Sequence, residues 1–497
     1  MPDMPAYSAL LTDLYELTMA CGYWRSGRAD TEACFHVIFR SQPFDGGFSI
    51  AAGLANAVEY LRALHFAEDD LAYLGTLTGA DGSPLFDREF LGRLRDFEFA
   101  CDVRAVPEGT VVFPNEPLVR VVGPLWQAQL VETALLNIIN FQTLIATKAA
   151  RVVRAAGGGP VIEFGLRRAQ GPDGGVSASR AAYVGGCDGT SNVLAGKRFG
   201  IPVRGTHAHS WVMTFDTEIE SFDAYAQSMP NNCVFLVDTY DTLEGVRHAV
   251  EAGRRLREAG HEMVGIRIDS GDLAWLSKRA REILDDGGFP NAKIMASNEL
   301  DEHLVASLRE QGARIDTWGV GTKLATAHDD PALGGVYKLA AVREPGGAVG
   351  EREWQPRIKL SEETAKINTP GLLGVRRFSR DGRFVGDMVW DELHPPGDGF
   401  TIVDPADPIR EKSIQPEATA EELLVPVLGD GAAEYVSPPL QASRDRTFAQ
   451  LAMLDESHKR FLNPHRYPVG LEAGLYDERS SLIVAARQAV EREKEGV

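Results

Sequence analysis

Val161-Ile-Glu-Phe-Gly-Leu-Arg-Arg168 is a short apolar run that ends abruptly in an aromatic ring and two guanidinium groups. Six further apolar runs repeat that form before Val320. Their ends read Gly185-Gly-Cys-Asp-Gly-Thr190, Gly205-Thr-His-Ala-His-Ser210, Asp238-Thr-Tyr-Asp241, Arg267-Ile-Asp-Ser-Gly-Asp272, Ser297-Asn-Glu299 and Gly319-Val-Gly-Thr322. Chemistry placed always at the carboxyl end of a strand is the pattern of the active face of an α/β barrel. The cadence points to an enzyme.

Working outward, strands are expected to start near Val161, Tyr183, Ile201, Val234, Gly265, Ile294 and Ile315. Helices are expected between them, at Ser191–Phe199, Leu243–Ala259, Leu273–Asp285 and Leu300–Gln311. Gly335–Val342 is the candidate eighth strand. Seven clear units predict an irregular or incomplete barrel over residues 156–345, with a doubly wound open sheet as the competing layout. Residues 1–155 read as a mixed α+β segment. Ala6–Tyr23 has helical spacing, Phe35–Phe39 is a strand, Val103–Val122 is β-rich, and Gln127–Ala150 is a long amphipathic helix. Residues 346–497 are richer in turns and charges. Arg376–Gly382 is a hairpin signal, Pro395-Pro-Gly-Asp398 a turn cluster, and helices are expected at Ala418–Leu424 and from Leu482 onward.

The bulk numbers set limits. A chain of 497 residues exceeds a single core, and 44% hydrophobic with 25% charged residues is ordinary for a globular protein. A formal charge of −20 argues against nonspecific binding to nucleic acid or an anionic membrane. Local arginines can still build a pocket for a small anion. The five cysteines, Cys21, Cys34, Cys101, Cys187 and Cys233, have neither CxxC nor disulfide-framework spacing. Met1–Ala20 lacks the features of a signal peptide, and no stretch has the length of a membrane span, so a cytoplasmic protein is expected.

His209 follows a strand end and is the first candidate for nucleophilic or acid/base work. His207 raises metal ligation by the pair, but no third ligand at zinc spacing supports it. Asp238 closes the next strand and is placed to orient the His209 imidazole; the alternative is a helix N-cap, which suits Asp241 or Thr242 better. Arg267 and Asp269 share a strand face, where Arg267 either grips an anion or forms an internal pair with Asp269. Gly319-Val-Gly-Thr322 sits where barrel phosphate sites form. Phe164, Arg167 and Arg168 bring a ring and two forks that match phosphate or carboxylate. Gly171-Pro-Asp-Gly-Gly175 has the composition of a lid, or of a plain surface turn.

Together these motifs resemble the nicotinate phosphoribosyltransferase family. The resemblance rests on Thr12-Asp-Leu-Tyr-Glu-Leu-Thr-Met19, Phe39-Arg40 with Pro43-Phe44, Glu163–Gly171, Gly205–Ser210, Arg267–Asp272, Gly319–Thr322 and Gly335-Val-Tyr-Lys-Leu339; after about Val425 it is least. It implies a seven-stranded irregular TIM-like barrel beside an α+β domain built from both chain ends, in a head-to-tail homodimer with composite sites. It implies condensation of nicotinate with phosphoribosyl pyrophosphate, assisted by ATP, on the way to NAD, with Mg2+ or Mn2+ as the accompanying cation. His209 then matches a phosphorylated histidine, with Asp238 as its partner. Tyr15 and Phe164 match the two rings around the pyridine, Thr206 and Arg267 the nicotinate site. Asp269, Gly321 and Thr322 match ribose and phosphate positions, and Arg40, Arg167 and Lys338 phosphate contacts. The related quinolinate enzyme lacks the phosphorylated histidine and this length. The related nicotinamide enzyme carries an acidic residue where Ser191 stands here. A noncatalytic barrel scaffold is the remaining alternative, and the presence of His209, Asp238 and Arg267 argues against it.

Overall fold

The computed structural model describes residues 8–344, 353–363, 367–397, 399–429 and 435–495. The expected boundary at 345/346, residues Ala6 and Tyr7 of the first expected helix, and Asp398 of the turn cluster lie outside the described residues. The chain divides into two compact units. One comprises Leu144–Pro331 with Leu440–Thr447; the other comprises Met1–Thr143, Ala332–Pro439 and Phe448–Val497.

The first unit holds the seven runs. Six form one parallel sheet in the order Gly189–Thr190, Val161–Glu163, Thr317–Val320, Lys293–Asn298, Gly265–Ile268, Val234–Leu236. The run from Ile201 adds only a parallel bridge, Thr190 to Val203. Among the described residues no ladder joins Val203 to Val234–Leu236. Instead the Leu236 amide donates to His207 Nε2 at 3.2 Å. Strand side chains such as Phe235, Leu236, Ile266 and Val320 are fully buried, as a parallel sheet covered by helices requires.

The helices follow the strands, and polar residues of the strand-end bursts start them. Asp241, Asp272 and Asp301 accept hydrogen bonds from the Glu244, Trp275 and Leu304 amides, capping Thr242–Glu258, Leu273–Asp286 and Glu302–Glu310. Each such cap is worth about 1 kcal/mol. One expectation fails here. Tyr183 lies in the helix Gly171–Val184, because the alanine-rich run around it favours helix; the strand is Gly189–Thr190. Gly171–Gly175 is therefore the first turn of a helix with Pro172 in it.

The second unit is built from both chain ends. One six-stranded sheet runs Gln355–Pro356, Gly335–Arg343, Glu32–Phe39, Val119–Pro124, Asp102–Ala105, Val425–Leu428. Gly335–Arg343 is thus no eighth barrel strand: it pairs antiparallel with Glu32–Phe39, and Tyr337 stacks on Phe35 at 4.7 Å. A second sheet contains the expected hairpin, Leu373–Arg380 with Arg383–Asp391, turned by Asp381 and Gly382 at φ +53° and +72°. Ala418–Leu424 is not helical. Thr419–Glu422 pairs with Leu373–Arg380, and Glu422 accepts from Arg376 and Trp390. The long helix expected from Gln127 is interrupted at Val131, giving Leu125–Leu130 and Glu132–Ala156. All five cysteines are free and buried. Among the described residues no helix is long and apolar enough to cross a membrane.

Candidate active site

Four strand ends and one loop of the parallel sheet bring the candidate groups together. Arg267 projects from Gly265–Ile268 and is mostly buried. Its Nε donates to Ser297 Oγ at 2.7 Å, one Nη to Thr206 Oγ1 at 3.1 Å, and the other to Asp269 Oδ1 at 3.1 Å. That uses three of the five N–H groups of the fork. The remaining two have no partner among the described residues. The guanidinium carbon stands 5.8 Å from the centre of the Phe164 ring. Of the two alternatives posed by the sequence, the Arg–Asp pair is present, and it leaves N–H groups of the same side chain uncommitted.

The Phe164 ring lies on the backbone of Gly319. A Cβ there would fall 2.8 Å from two ring carbons, so this glycine makes room for the aromatic face. Glu163, fully buried at the same strand end, accepts from Ser179 Oγ at 2.9 Å, Thr190 Oγ1 at 2.6 Å and the Gly165 amide. It stitches neighbouring elements under Phe164. The Ser191 amide donates to the Glu163 carbonyl at 2.9 Å.

His209 is the first residue of the one-turn helix His209–Val212. Its Nδ1 stands 3.1 Å from Thr239 Oγ1, and its Nε2 stands 3.8 Å from Asp269 Oδ2. Asp238 does not touch the imidazole. Its Oδ2 accepts from the Asp269 amide at 2.9 Å and from Ser270 Oγ at 2.6 Å, while its buried Oδ1 has no hydrogen-bond partner. The contact to the imidazole expected from Asp238 is made instead by Thr239, one residue further on. Asp269 is the carboxylate nearest the ring. Burial alone would raise its pKa, but the hydrogen bond from Ser297 and the charge and hydrogen bond of Arg267 hold it below the ordinary carboxylate value.

His207 has a different task. Its Nε2 accepts the Leu236 amide, its Nδ1 faces the Ala208 carbonyl at 3.4 Å, and its ring packs 4.7 Å from Tyr225. Burial pulls its pKa down to about 4. With both nitrogens engaged it is not a metal ligand beside His209.

Gly321 lies against the Phe164 carbonyl, and Thr322 opens the short helix Thr322–Ala325 with its hydroxyl donating to Glu299 at 3.0 Å. Arg167 is exposed in the turn Leu166–Arg168. Three candidates belong to the other unit. Tyr15 is 45% exposed on the helix Leu14–Arg25. Arg40 follows the strand Glu32–Phe39 and lines a cavity of about 360 Å³ with Phe113, Asn115 and Arg466. Lys338 lies opposite His36; burial, then the charges of Arg40 and Lys359, push its pKa down. Sequence reasoning missed Ser297, Thr239 and Glu163, which contact the candidate groups or support them. Ser297 and Thr239 carried a signal, since both stand in strand-end bursts.

Three family descriptions match the chain in order. They are the nicotinate phosphoribosyltransferase N-terminal domain over residues 10–140, the family itself over 160–364 and the C-terminal domain over 374–479. Nicotinate phosphoribosyltransferase of Bacillus subtilis is 42% identical, covering 98% of this chain and 97% of that protein. Nicotinate phosphoribosyltransferase 2 of Arabidopsis thaliana is 35% identical, covering 96% and 94%. The crystal structure of human nicotinic acid phosphoribosyltransferase superposes with a TM-score of 0.81 at 33% identity, covering 95% of this chain and 99% of that one. Order of domains, length and architecture agree, and the chain is a member of the nicotinate phosphoribosyltransferase family.

Proposed function

We propose that this enzyme joins nicotinate to phosphoribosyl pyrophosphate, and that ATP drives the condensation by phosphorylating His209. The products are nicotinate mononucleotide and pyrophosphate, with ADP and phosphate from the ATP. The single observation that carries this reading is the Arg267 fork, with two uncommitted N–H groups beside the face of Phe164. A flat ring bearing a carboxylate calls for that pair of surfaces. Thr206 supplies a further hydroxyl on the same guanidinium.

In this reading Asp269 meets the ribose, while Gly321, Thr322 and Arg167 meet phosphate. Attack of the pyridine nitrogen at the sugar carbon needs positioning and neutralised negative charge more than a strong base. His209, steadied by Thr239 on Nδ1, presents Nε2 to the phosphoryl group of ATP. Asp238 acts from behind, holding the Asp269 backbone and Ser270. The cation is Mg2+, or Mn2+ in its stead, carried by the polyphosphates. The carboxylates of Asp238 and Asp269 at the strand ends would hold it, as hard oxygen donors suited to a hydrated divalent ion. When bound, it neutralises the departing pyrophosphate.

The finer architecture belongs to the same proposal: the six strands and the Val203 bridge form a closed, seven-stranded irregular barrel. A head-to-tail homodimer in the cytoplasm completes each site, with Tyr15 stacking on the pyridine opposite Phe164, and Arg40 and Lys338 meeting phosphates. The neutral Ser191 favours a carboxylate over an amide. The test is product formation from nicotinate, nicotinamide or quinolinate with phosphoribosyl pyrophosphate, with and without ATP. Nicotinate alone should react well, and ATP should stimulate it. His209→Ala should lose ATP hydrolysis and the stimulation; stimulation that survives in that variant removes the phosphohistidine.

A further inference from the structure

One cluster in the unit built from both chain ends takes no part in the proposed reaction. Asp391 ends the strand Arg383–Asp391, His394 follows it, and Glu478 lies in the helix Ala473–Glu495. One imidazole nitrogen and two carboxylate oxygens lie within 4.8 Å of one another. His394 Nδ1 stands 3.5 Å from Asp391 Oδ2 and 3.6 Å from Glu478 Oε2. A single ring N–H cannot point at two carboxylates, and both distances exceed a charge-assisted hydrogen bond of about 2.7–2.9 Å. Donors at about 2.0–2.2 Å from a tetrahedral ion stand roughly 3.3–3.6 Å apart. Both separations to the imidazole fall in that range.

Asp391 adds a second, independent observation. The residue is 3% exposed, and its Oδ1 accepts from the Leu372 amide at 2.9 Å and the Leu393 amide at 3.0 Å. Its Oδ2 accepts no hydrogen bond among the described residues and faces His394. Gly371, at φ +109°, brings the backbone so close that a Cβ would fall 2.5 Å from this oxygen. The carboxylate is held in place from behind with one oxygen left to meet a cation.

From this geometry we infer that Asp391, His394 and Glu478 form a divalent metal site of the zinc class, with water completing the shell. An imidazole donor favours zinc over magnesium or calcium, which prefer all-oxygen shells. The ion would pin one segment between the strand and the helix. Asp391 already holds Leu372, and Arg479, beside Glu478, donates to the carbonyls of Ile367 at 3.2 Å and Asn368 at 3.3 Å. Asn368 in turn holds the Lys359 amide and the carbonyls of Arg357 and Leu339.

The test uses the full-length protein, stripped with chelator and dialysed into excess Mg2+. Zinc is titrated calorimetrically, bound metal is counted by mass spectrometry, and melting is followed with and without zinc. The expected result is one zinc per chain, not displaced by Mg2+, with a melting temperature raised by several degrees. His394→Ala and Glu478→Gln, both at accessible positions, should each lower zinc affinity at least tenfold and abolish the rise. Absence of stoichiometric binding to the unmodified protein overturns the site. So does displacement by Mg2+, or affinity unchanged in either variant, which would place the zinc elsewhere, such as at the neighbouring His458 and His465, whose rings lie 5.2 Å apart.

Discussion

His207 and His209 stand two positions apart and do opposite work. Both were visible in the sequence as members of one strand-end burst; which nitrogen meets which neighbour was not. His209 reaches Thr239 and faces Asp269, whereas Asp238, the expected partner, turns to the backbone of its neighbouring strand. A step of one residue at a strand end reverses where a side chain points, and spacing alone does not resolve it. His207 closes the gap between the Val203 segment and Val234–Leu236 by accepting the Leu236 amide, which it does only while neutral. Burial, with smaller contributions from Arg267 and His209, holds its pKa near 4. In the unfolded chain it titrates near 6.5. Between those values the unfolded state binds more protons, so this group favours folding less as pH falls from 6.5 through 4. At pH 4.5 the penalty should be about 2.5 kcal/mol relative to pH 7.5. His207→Asn offers an acceptor that does not titrate. Urea unfolding at the two pH values should show a drop about 2 kcal/mol smaller in the variant than in the parent. Equal drops would mean the imidazole is not buried in this way.

At the scale of elements, the sequence reads well wherever local and long-range signals agree. The strand ends and their helices were legible because apolar runs and capping carboxylates recur at βα spacing. Polar residues in those bursts nevertheless divide between chemistry and capping: Asp269 faces the imidazole, while Asp272 caps the next helix. Reading fails where a ladder or a close approach overrides local preference. Thr419–Glu422 follows a helix-forming pattern but is captured by the hairpin through Arg376 and Trp390. Gly319 reads as a phosphate-loop glycine, yet its immediate neighbour is the Phe164 ring. Gly319→Ala therefore tests the ring platform. The new methyl would press on the ring at 2.8 Å and on Ser297 Cβ at 3.3 Å, forcing Phe164 to tilt. Such overpacking costs about 1–3 kcal/mol of stability. Because the tilted face no longer sits beside Arg267, KM for nicotinate should rise roughly tenfold, the equivalent of about 1.4 kcal/mol of lost binding. Steady-state kinetics on the folded variant decides this. An unchanged KM would take Phe164 out of the nicotinate site.

At the scale of the whole molecule, no motif in the last hundred residues announces a role, and the resemblance to the family is least after about Val425. Apart from Leu440–Thr447, those residues complete the unit built from both chain ends. Val425–Leu428 extends the sheet beside Asp102–Ala105, and Val469–Glu472 fills the second sheet between Arg383–Asp391 and Thr401–Val403. Pairings across more than three hundred positions leave no local trace, which is why the sequence did not reveal them. Between the sheets, Arg377 is fully buried and donates to Asp387 Oδ1 at 2.9 Å, Gln450 Oε1 at 2.8 Å and the Val111 carbonyl at 2.7 Å. Tyr467 stacks on Phe113 at 4.0 Å and donates its hydroxyl to the same Asp387 oxygen at 2.9 Å. A buried ion pair becomes costly when a supporting group is removed, because the charge cannot regain water. Tyr467→Phe keeps the stack and deletes one donor to the carboxylate, so it should lower the unfolding free energy by about 1–3 kcal/mol. Removing everything after Leu424 withdraws Gln450, Tyr467 and two strands together, leaving Arg377 and Asp387 without their cover. That shortened chain should show no cooperative melt by circular dichroism. If it melts as sharply as the intact protein, the terminal segment is an appendage, and the network around Arg377 does not hold the unit together.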